Sequence, residues 1–462
     1  MSSRFDANQN LVRRFTGLVA CICLAVCTSS ASAQFFNGQQ IQQIGGVLIN
    51  SKGVVQNSSA DLDKEARDAI LKQLGKVDGQ LADKVQLRMV SLRGLHAEMA
   101  KAVEKKTKIS EEAQYLAGLL RVEYVLLVPE KNDILIGGPA EGWKVDEQGN
   151  VVGKTTGLPV LRLEDLMVAL RSSSNARQGY GISVSINPTE EGNKKLSKFL
   201  TQFQRSGSRF NERAATAVEE VMGPQDVSLT GIDKDSRFAQ VLVAADYQMK
   251  RLSMGFEEAP IKGMPSFLEL CQKKNSRFGT LTPRFWMECN YEPVKHTEDK
   301  LAWKIEGSVK ALTENEVVEK SGKRTGTGRS NKLAKTWADN MTKNYDKLAE
   351  KQPIFAELQN IMDLSVVAAL IEKEGMLKKV GLELPYMTDN GKLATPSLNV
   401  PKTVPTQCSF CALSNSTLVT ASGGVQVDSW GVLDNAKQDV KVAAVRSAAL
   451  DAAGENWWWN AK

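Results

Sequence analysis

Residues 122–136 decide the fold class, and they read Val-Glu-Tyr-Val-Leu-Leu-Val-Pro-Glu-Lys-Asn-Asp-Ile-Leu-Ile. Every second position of the first half is apolar, at Val122, Tyr124, Leu126 and Val128. This period is typical of a β-strand. Residues 129–132 contain a proline, two charged residues and an asparagine, which favour a turn before the segment Asp133-Ile134-Leu135-Ile136. The stretch therefore predicts two strands joined by a tight turn.

Helical patterns lie on both sides of this hairpin. An amphipathic helix is indicated upstream, with one apolar face formed by Leu92, Leu95, Met99 and Val103. Downstream, helices are predicted after an Asn187 cap with Pro188 at the first position, over 238–252, over 331–350 and over 353–374. Further strands are predicted at 182–186, 284–294, 301–320, 417–427 and 430–433. We expect an α+β fold with mixed helices and small antiparallel sheets in two or three domains.

The first 33 residues have the features of a signal peptide. Arg13 and Arg14 precede a short apolar run at 15–27, and Ala31-Ser32-Ala33 forms a small-x-small site for cleavage after Ala33. A run of about 13 residues is too short for a bilayer span, which needs about 20. Lipidation at Cys21 or Cys27 is a weaker alternative, because the spacing before Cys21 is short and Val26 precedes Cys27.

Changes in composition suggest the remaining organisation. We expect a flexible leader at 34–60, an N-terminal α+β domain at 61–206 and a central α+β domain at 207–395 with a basic hairpin and two long helices. A C-terminal β-rich segment at 396–462 ends in a helix and the tail Trp457-Trp458-Trp459. That tail could dock on a carbohydrate, on a membrane surface or on the protein itself, and self-docking is favoured.

The net charge of +6 falls to +4 without the first 33 residues, and its basic residues are scattered. This pattern disfavours a nucleic-acid partner. The apolar runs after residue 33 are short, so no transmembrane helix is predicted in the mature chain. Gly322 to Gly328 has the wrong order for a phosphate loop, and no cofactor is predicted.

Four cysteines remain after cleavage, namely Cys271, Cys289, Cys408 and Cys411. An even number in an exported chain favours disulfides, and the preferred pairing is Cys271 with Cys289 and Cys408 with Cys411. The other two connectivities stay open. The spacing of Cys408 and Cys411 also allows a redox dithiol, and a four-cysteine zinc site is a weaker alternative.

The two histidines are not predicted to be catalytic. His96 lies one turn after Leu92 on an apolar helix face and is expected to be a satisfied core residue, whereas His296 is expected to be solvated in a polar loop. Asp246 and Asp363 lie in apolar helical segments, so they are interior polar candidates that must be paired if buried.

Several segments together resemble a known family: residues 231–238, 243–250, 284–286, 362–364 and 422–425. They are similar to a family of exported planctomycete proteins that is defined by a domain of unknown function. The resemblance extends from about residue 115 to the end of the chain, and the cysteines are not part of it. It implies a cell-envelope setting, and it carries over no catalytic residue.

We therefore expect an exported protein, periplasmic or secreted, that is a non-catalytic binding or structural module. Its partner would be another envelope protein or a surface polymer. The alternative is a carboxylate-dependent hydrolase, which predicts a cleft with two facing acids, in which Asp233, Asp246 or Asp363 would share a pocket with a second acid. No catalytic, cofactor-binding or metal-ligating residue is predicted.

Overall fold

A computed structural model describes residues 43–45, 47–49, 55–57, 77–177, 181–208, 211–273, 283–291, 293–406, 409–411, 417–419 and 422–461. The strands are β1 (Gln43–Ile44), β2 (Val47–Ile49), β3 (Val55–Asn57), β4 (Val85–Ser91), β5 (Tyr124–Val128), β6 (Asp133–Ala140), β7 (Trp143–Val145), β8 (Val151–Gly153), β9 (Ile182–Pro188), β10 (Gln225–Thr230), β11 (Pro283–Asn290), β12 (Lys295–His296), β13 (Ala302–Lys304), β14 (Ser308–Val318), β15 (Arg324–Gly326), β16 (Thr403–Val404), β17 (Ser409–Cys411), β18 (Thr417–Val419), β19 (Ser422–Val427), β20 (Lys437–Gln438) and β21 (Trp458–Ala461).

The helices are α1 (Leu92–Lys105), α2 (Glu111–Gln114), α3 (Leu163–Arg177), α4 (Glu190–Arg205), α5 (Glu212–Met222), α6 (Arg237–Ser253), α7 (Phe267–Lys273), α8 (Lys332–Lys343), α9 (Tyr345–Lys351), α10 (Pro353–Lys373), α11 (Met376–Val380), α12 (Pro385–Thr388) and α13 (Lys441–Asp451). The predicted α+β class is confirmed. The predicted 122–136 hairpin is also confirmed, since β5 pairs with β6 and Asn132 lies at the turn with a φ of 50°.

The main sheet has the strand order β15-β14-β11-β19-β9-β10-β16. All of its pairs are antiparallel except β11 with β19, which is parallel. Along β9 and β11, buried and partly exposed residues alternate, so within the described residues one face of these strands is covered and the other is more open. The nearly fully buried helix α6 packs on the covered face, and α10 packs on α6 and α3.

The second sheet has the order β20-β12-β13-β5-β6-β4-β21 and is covered on both faces. Val125 and Leu127 point into the main hydrophobic core, while Leu126 and Val128 belong to a smaller cluster with Val442 of α13. This two-sided burial explains why the sequence of β5 is almost continuously apolar.

The tail docks on the body of the protein, as the favoured alternative predicts. Residues 458–461 form β21 and pair antiparallel with β4. The fully buried Arg88 side chain lies over the Trp458 ring and donates a 2.7 Å hydrogen bond to Asn460 Oδ1. The indole of Trp459 donates to the carbonyl oxygen of Ala449.

The predicted segments 61–206, 207–395 and 396–462 do not build separate sheets. Both seven-stranded sheets contain strands from all three segments, and residues from all three share the main core. In the main sheet, for example, β9, β11 and β19 are neighbours. The sheets are therefore larger than the small antiparallel ones expected.

Three local predictions need correction. Within the expected flexible leader, β1, β2 and β3 form a small sheet, and Ile44, Val47 and Ile49 are buried in the main core. Asn187 and Pro188 end β9, and Thr189 caps the following helix instead. The predicted strand at 430–433 is a 3-10 turn over Gly431–Leu433.

Among the described residues, α10 is long and apolar enough to cross a membrane by length and composition. Its apolar window is entirely buried within the protein, as expected for the central helix of a folded core. The predicted signal peptide, 1–33, lies outside the described residues.

Candidate functional site

Asp363 is fully buried on α10 and is held by two side chains from distant segments. Arg121 makes a two-pronged contact, with Nε 2.5 Å from Oδ2 and Nη2 2.8 Å from Oδ1. The hydroxyl of Tyr291 donates to Oδ1 at 2.5 Å, and the backbone N–H of Val122 donates to Oδ2 at 3.2 Å. Each carboxylate oxygen therefore accepts two hydrogen bonds, and the pairing expected for a buried Asp363 is present.

Asp246 is fully buried on α6 and is paired with Lys250 one turn later. Lys250 Nζ lies 2.9 Å from Asp246 Oδ2 and donates to the carbonyl oxygen of Ile186 at 2.6 Å. The backbone N–H of Ile186 donates back to Asp246 at 3.0 Å. Burial raises the pKa of Asp246 and lowers the pKa of Lys250, while their mutual attraction opposes both shifts. The pair fastens α6 to β9 on the covered face of the main sheet.

A third buried cluster was missed by sequence reasoning. Arg237, at the start of α6, forms ion pairs with Asp165 of α3 and, at 2.6 Å, with Glu357 of α10. Burial, reinforced by Glu164 and Glu357, raises the pKa of Asp165 to about 7 although Arg237 opposes the shift. The available signal was Glu357, which lies six residues before Asp363 in the same apolar segment. These three clusters join helices and strands inside the core.

The acids considered as catalytic candidates do not come together. Asp233 is exposed, and within the described part of the chain none of Asp233, Asp246 and Asp363 is hydrogen-bonded to a second carboxylate. The same described residues contain no group of three or more histidine, cysteine, aspartate or glutamate residues placed to hold a metal ion.

The predicted disulfide between Cys271 and Cys289 is not formed, and both cysteines are buried. α7 meets β11 through Phe267 and Phe285, whose ring centroids are 5.6 Å apart. Cys289 lies four residues beyond Phe285 along the strand, about 13 Å from it at the usual rise per residue, whereas a disulfide needs Cα atoms within about 7 Å of each other. Burial raises the pKa of the Cys289 thiol. Cys408 and the side chain of Cys411 lie outside the described residues, so their pairing stays a prediction.

The histidines have structural contacts. His96 Nε2 accepts a 3.4 Å hydrogen bond from the backbone N–H of Tyr386, which supports the prediction of a satisfied histidine. Burial lowers the pKa of His96. His296 is not in a solvated loop, because it is half-buried in β12 with its ring centroid 4.7 Å from that of Trp303.

The more open face of the main sheet brings together residues from four strands. In the register, Trp286 of β11 stands beside Gly424 of β19, Gly424 beside Ser185 of β9, and Ser185 beside Ser228 of β10. We call this row of four residues the outer trough. It crosses the strands and is about 14 Å long at the usual strand spacing of about 4.8 Å.

The indole of Trp286 is partly exposed and held in a defined orientation. Its Nε1 donates a 2.6 Å hydrogen bond to Glu288, and the guanidinium of Arg284 lies 5.3 Å from the ring centroid. Its neighbour in the row is Gly424, where a Cβ would come within 1.9 Å of the carbonyl oxygen of Val184. The close approach of β9 and β19 therefore requires glycine and leaves no side chain beside the indole.

One side of the outer trough is bordered by the β14–β15 hairpin. Glu316 accepts a 2.5 Å hydrogen bond from the hydroxyl of Ser422, two residues before Gly424, and pairs with Arg324 at 3.4 Å. Asn193 of α4 accepts from Arg324 and donates to the carbonyl oxygen of Gly322. These contacts fix the hairpin, which contains the predicted basic tip, against the sheet and α4.

Polar side chains line the other side. Ser183 and Thr230 share a 2.7 Å hydrogen bond, and Gln426 and Glu288 continue the same row. An oriented aromatic ring beside small hydroxyl-bearing residues can bind a flat ligand with apolar faces and polar edges.

A separate open cleft of about 520 Å³ lies under the loop after α6. Three glutamates, Glu257, Glu258 and Glu269, are among its lining residues. Glu257 is oriented by a 2.6 Å hydrogen bond from Gln352 and lies 3.6 Å from Arg251. This cleft is the described feature most similar to the one that the hydrolase alternative predicts.

Residues 184–267 match the model of a protein family of unknown function, DUF1598. The predicted resemblance to a family defined by a domain of unknown function is thereby confirmed, over a shorter range than expected. No curated protein and no solved structure matches the chain significantly. The matched range includes the Asp246–Lys250 pair and two trough residues, Ser185 and Ser228.

Proposed function

We propose that the protein is an exported, non-catalytic binding module of the cell envelope that uses the outer trough to hold its ligand. The observation that carries this proposal is the oriented, partly exposed Trp286 beside Gly424, Ser185 and Ser228. Exposed faces of antiparallel sheets are usually polar, so the hydroxyl groups alone would indicate only solvation. A fixed indole among them is a preorganised contact surface.

The interior carboxylates also support a binding role. Asp363 and Asp246 each use their charge to hold a basic side chain and a backbone N–H within the core. A general acid or base must instead reach its substrate within hydrogen-bond distance. These two residues therefore support the core that carries the trough.

Export is supported by the charged, apolar and small-residue regions of 1–33. Mass spectrometry of the protein isolated from its own cells tests this directly. A chain beginning at Gln34 is the expected result, and a chain that retains residues 1–33 and lies in the cytoplasm would contradict export.

Binding is tested by co-sedimentation with the insoluble envelope fraction of the source cells. Ser228 is exposed on β10, so Ser228→Arg places a bulky charged side chain at one end of the trough. Ser447→Arg on α13 is the matched control, because Ser447 is also exposed but lies on the helix that covers the second sheet. We expect Ser228→Arg to abolish co-sedimentation and Ser447→Arg to preserve it.

A role for the trough would be contradicted if both variants lost co-sedimentation equally, or if neither variant lost it. Thermal unfolding of both variants is measured to check that each is folded. This control separates a blocked surface from a damaged core.

The hydrolase alternative is favoured by the three glutamates that line the 520 Å³ cleft. It predicts release of soluble fragments from the envelope fraction and a loss of that activity in Glu258→Gln or Glu269→Gln. Ser228→Arg leaves this cleft unchanged, so it distinguishes the two sites.

A further inference from the structure

We infer that the ligand of the outer trough is an uncharged polysaccharide that lies across the strands of the main sheet. The inference rests on the proposed function and adds the chemical class of the ligand.

The charged side chains around Trp286 balance one another. Two ion pairs neutralise the charged residues around Trp286 on this face: Arg284 with Glu314 at 3.5 Å and Lys310 with Glu288 at 3.5 Å. A surface for a nucleic acid or an anionic polymer presents an excess of basic side chains to the phosphate or carboxylate groups. The neutral balance here fits an uncharged ligand.

The trough and the row beside it carry several hydroxyl groups. The row formed by Ser185 and Ser228 and the adjacent row formed by Ser183 and Thr230 present short hydroxyl groups, each of which can donate and accept. Hydroxyl groups of a sugar have the same dual capacity. Asn187 already donates to Ser185 at 3.0 Å, which fixes one of these hydroxyl groups before a ligand arrives.

The indole of Trp286 offers a surface for stacking. A pyranose ring has an apolar face made of C–H groups, and an aromatic ring supplies a flat apolar surface on which it can stack. Trp286 is the aromatic residue of the trough. A stable protein partner needs about 800 Å² per side with a larger apolar centre, so this row fits a sugar chain better than a protein surface.

The trough runs across the strands and is open at its ends. Leu312 pairs with Trp286 on the opposite side from Gly424 and extends the row by one strand, to about 19 Å. The β14–β15 hairpin borders the row along its length near Ser422 rather than closing its end at Ser228. An open-ended row suits an internal stretch of a chain.

The test is isothermal titration with a panel of soluble neutral polysaccharides, namely dextran, laminarin, xylan and hydroxyethyl cellulose. Heparin and vesicles of phosphatidylglycerol are the anionic comparisons. We expect at least one neutral polymer to bind with little change between 0.05 and 0.5 M NaCl, because no counterions are released. Trp286→Ala and Ser228→Arg should weaken that binding about tenfold or more, which corresponds to about 1.4 kcal/mol, and Ser447→Arg should not.

Failure of every neutral polymer to bind, or preferential salt-sensitive binding of heparin or vesicles, would overturn the inference. If co-sedimentation with the envelope is still lost in Ser228→Arg under that outcome, the trough binds another class of envelope component and the proposed function stands. If Ser228→Arg co-sediments as well as the original protein, the proposed function fails with it.

Discussion

The two faces of the main sheet use charged side chains in opposite ways. On the covered face, Lys250 and Asp246 are almost or fully buried, and each makes hydrogen bonds to the backbone as well as to the other. On the outer face, Arg284 and Glu314 pair at 3.5 Å with side chains that are 40% and 21% exposed. Water screens the outer pair, whereas removal of one inner partner leaves the other desolvated. Loss of one inner partner should therefore cost more stability than loss of one outer partner, and the outer pairs balance the charge of the trough.

The sharpest test of the inner side is Asp363→Ala. It leaves the Arg121 guanidinium without its carboxylate partner in the core, so we expect a loss of about 3–5 kcal/mol in the free energy of unfolding. Denaturant unfolding measures this loss. Asp339→Ala, in an exposed pair with Lys335, is the control and should change the free energy by less than about 1 kcal/mol.

Asp165→Asn tests the pH dependence of the inner side. The pKa of Asp165 is raised to about 7 in the folded protein from 3.8, so its contribution to stability is complete below pH 4 and is lost as the pH rises to 7. The original protein should lose stability relative to the variant between pH 4 and 8, by an amount on the order of a few kcal/mol. A constant difference between the two unfolding curves across this range would contradict the shift.

Lys250→Met tests whether Asp246 can be accommodated in the core by taking up a proton when its partner is removed. Burial already raises the pKa of Asp246, and loss of the ammonium group raises it further, so the variant should lose stability as the pH increases. We expect a deficit of about 2–3 kcal/mol at pH 9 and a smaller one at pH 5. Unfolding at the two pH values measures this change. Asp246→Leu combined with Lys250→Met removes both charges and should recover most of the loss.

Glu314→Gln tests the outer side and should have the smallest effect. The pair with Arg284 is exposed, so we expect a change below about 1 kcal/mol in the free energy of unfolding. A loss as large as that of Asp363→Ala would remove the distinction between the two faces.

Local features of the fold could be predicted from the sequence. The 122–136 hairpin depends on neighbouring residues, and α10 was recognised from an apolar run with Pro353 at its start and Gly375 after its end. The prediction at 430–433 was wrong because a short apolar run has no period. Contacts of Trp430 with Ser173 and Arg177 help to hold that turn in place. The sequence of Asn187 and Pro188 favours the start of a helix, but both residues belong to β9 because they pair with β10, and such a contact between distant segments leaves no local sequence signal.

The candidate site could not be predicted for the same reason. Interior positions for Asp246 and Asp363 follow from their apolar neighbours, but their partners come from other segments. The outer trough depends on the parallel pairing of β11 with β19, more than 130 residues apart in the chain. A periodicity shows which side chains share a face of one strand, and it does not show which strands are neighbours.

The position of β21 has a consequence for the order of folding. Because residues 458–461 pair with β4 and Asn460 accepts a hydrogen bond from the buried Arg88, the second sheet remains incomplete until residue 461 has left the ribosome. The main sheet is likewise incomplete until β19 has been synthesised, because β19 lies between β11 and β9. Contacts between such distant residues form slowly. A nascent chain of this design stays without its complete tertiary structure during most of translation. This property is compatible with the proposed export, because a translocase threads chains that have not yet folded.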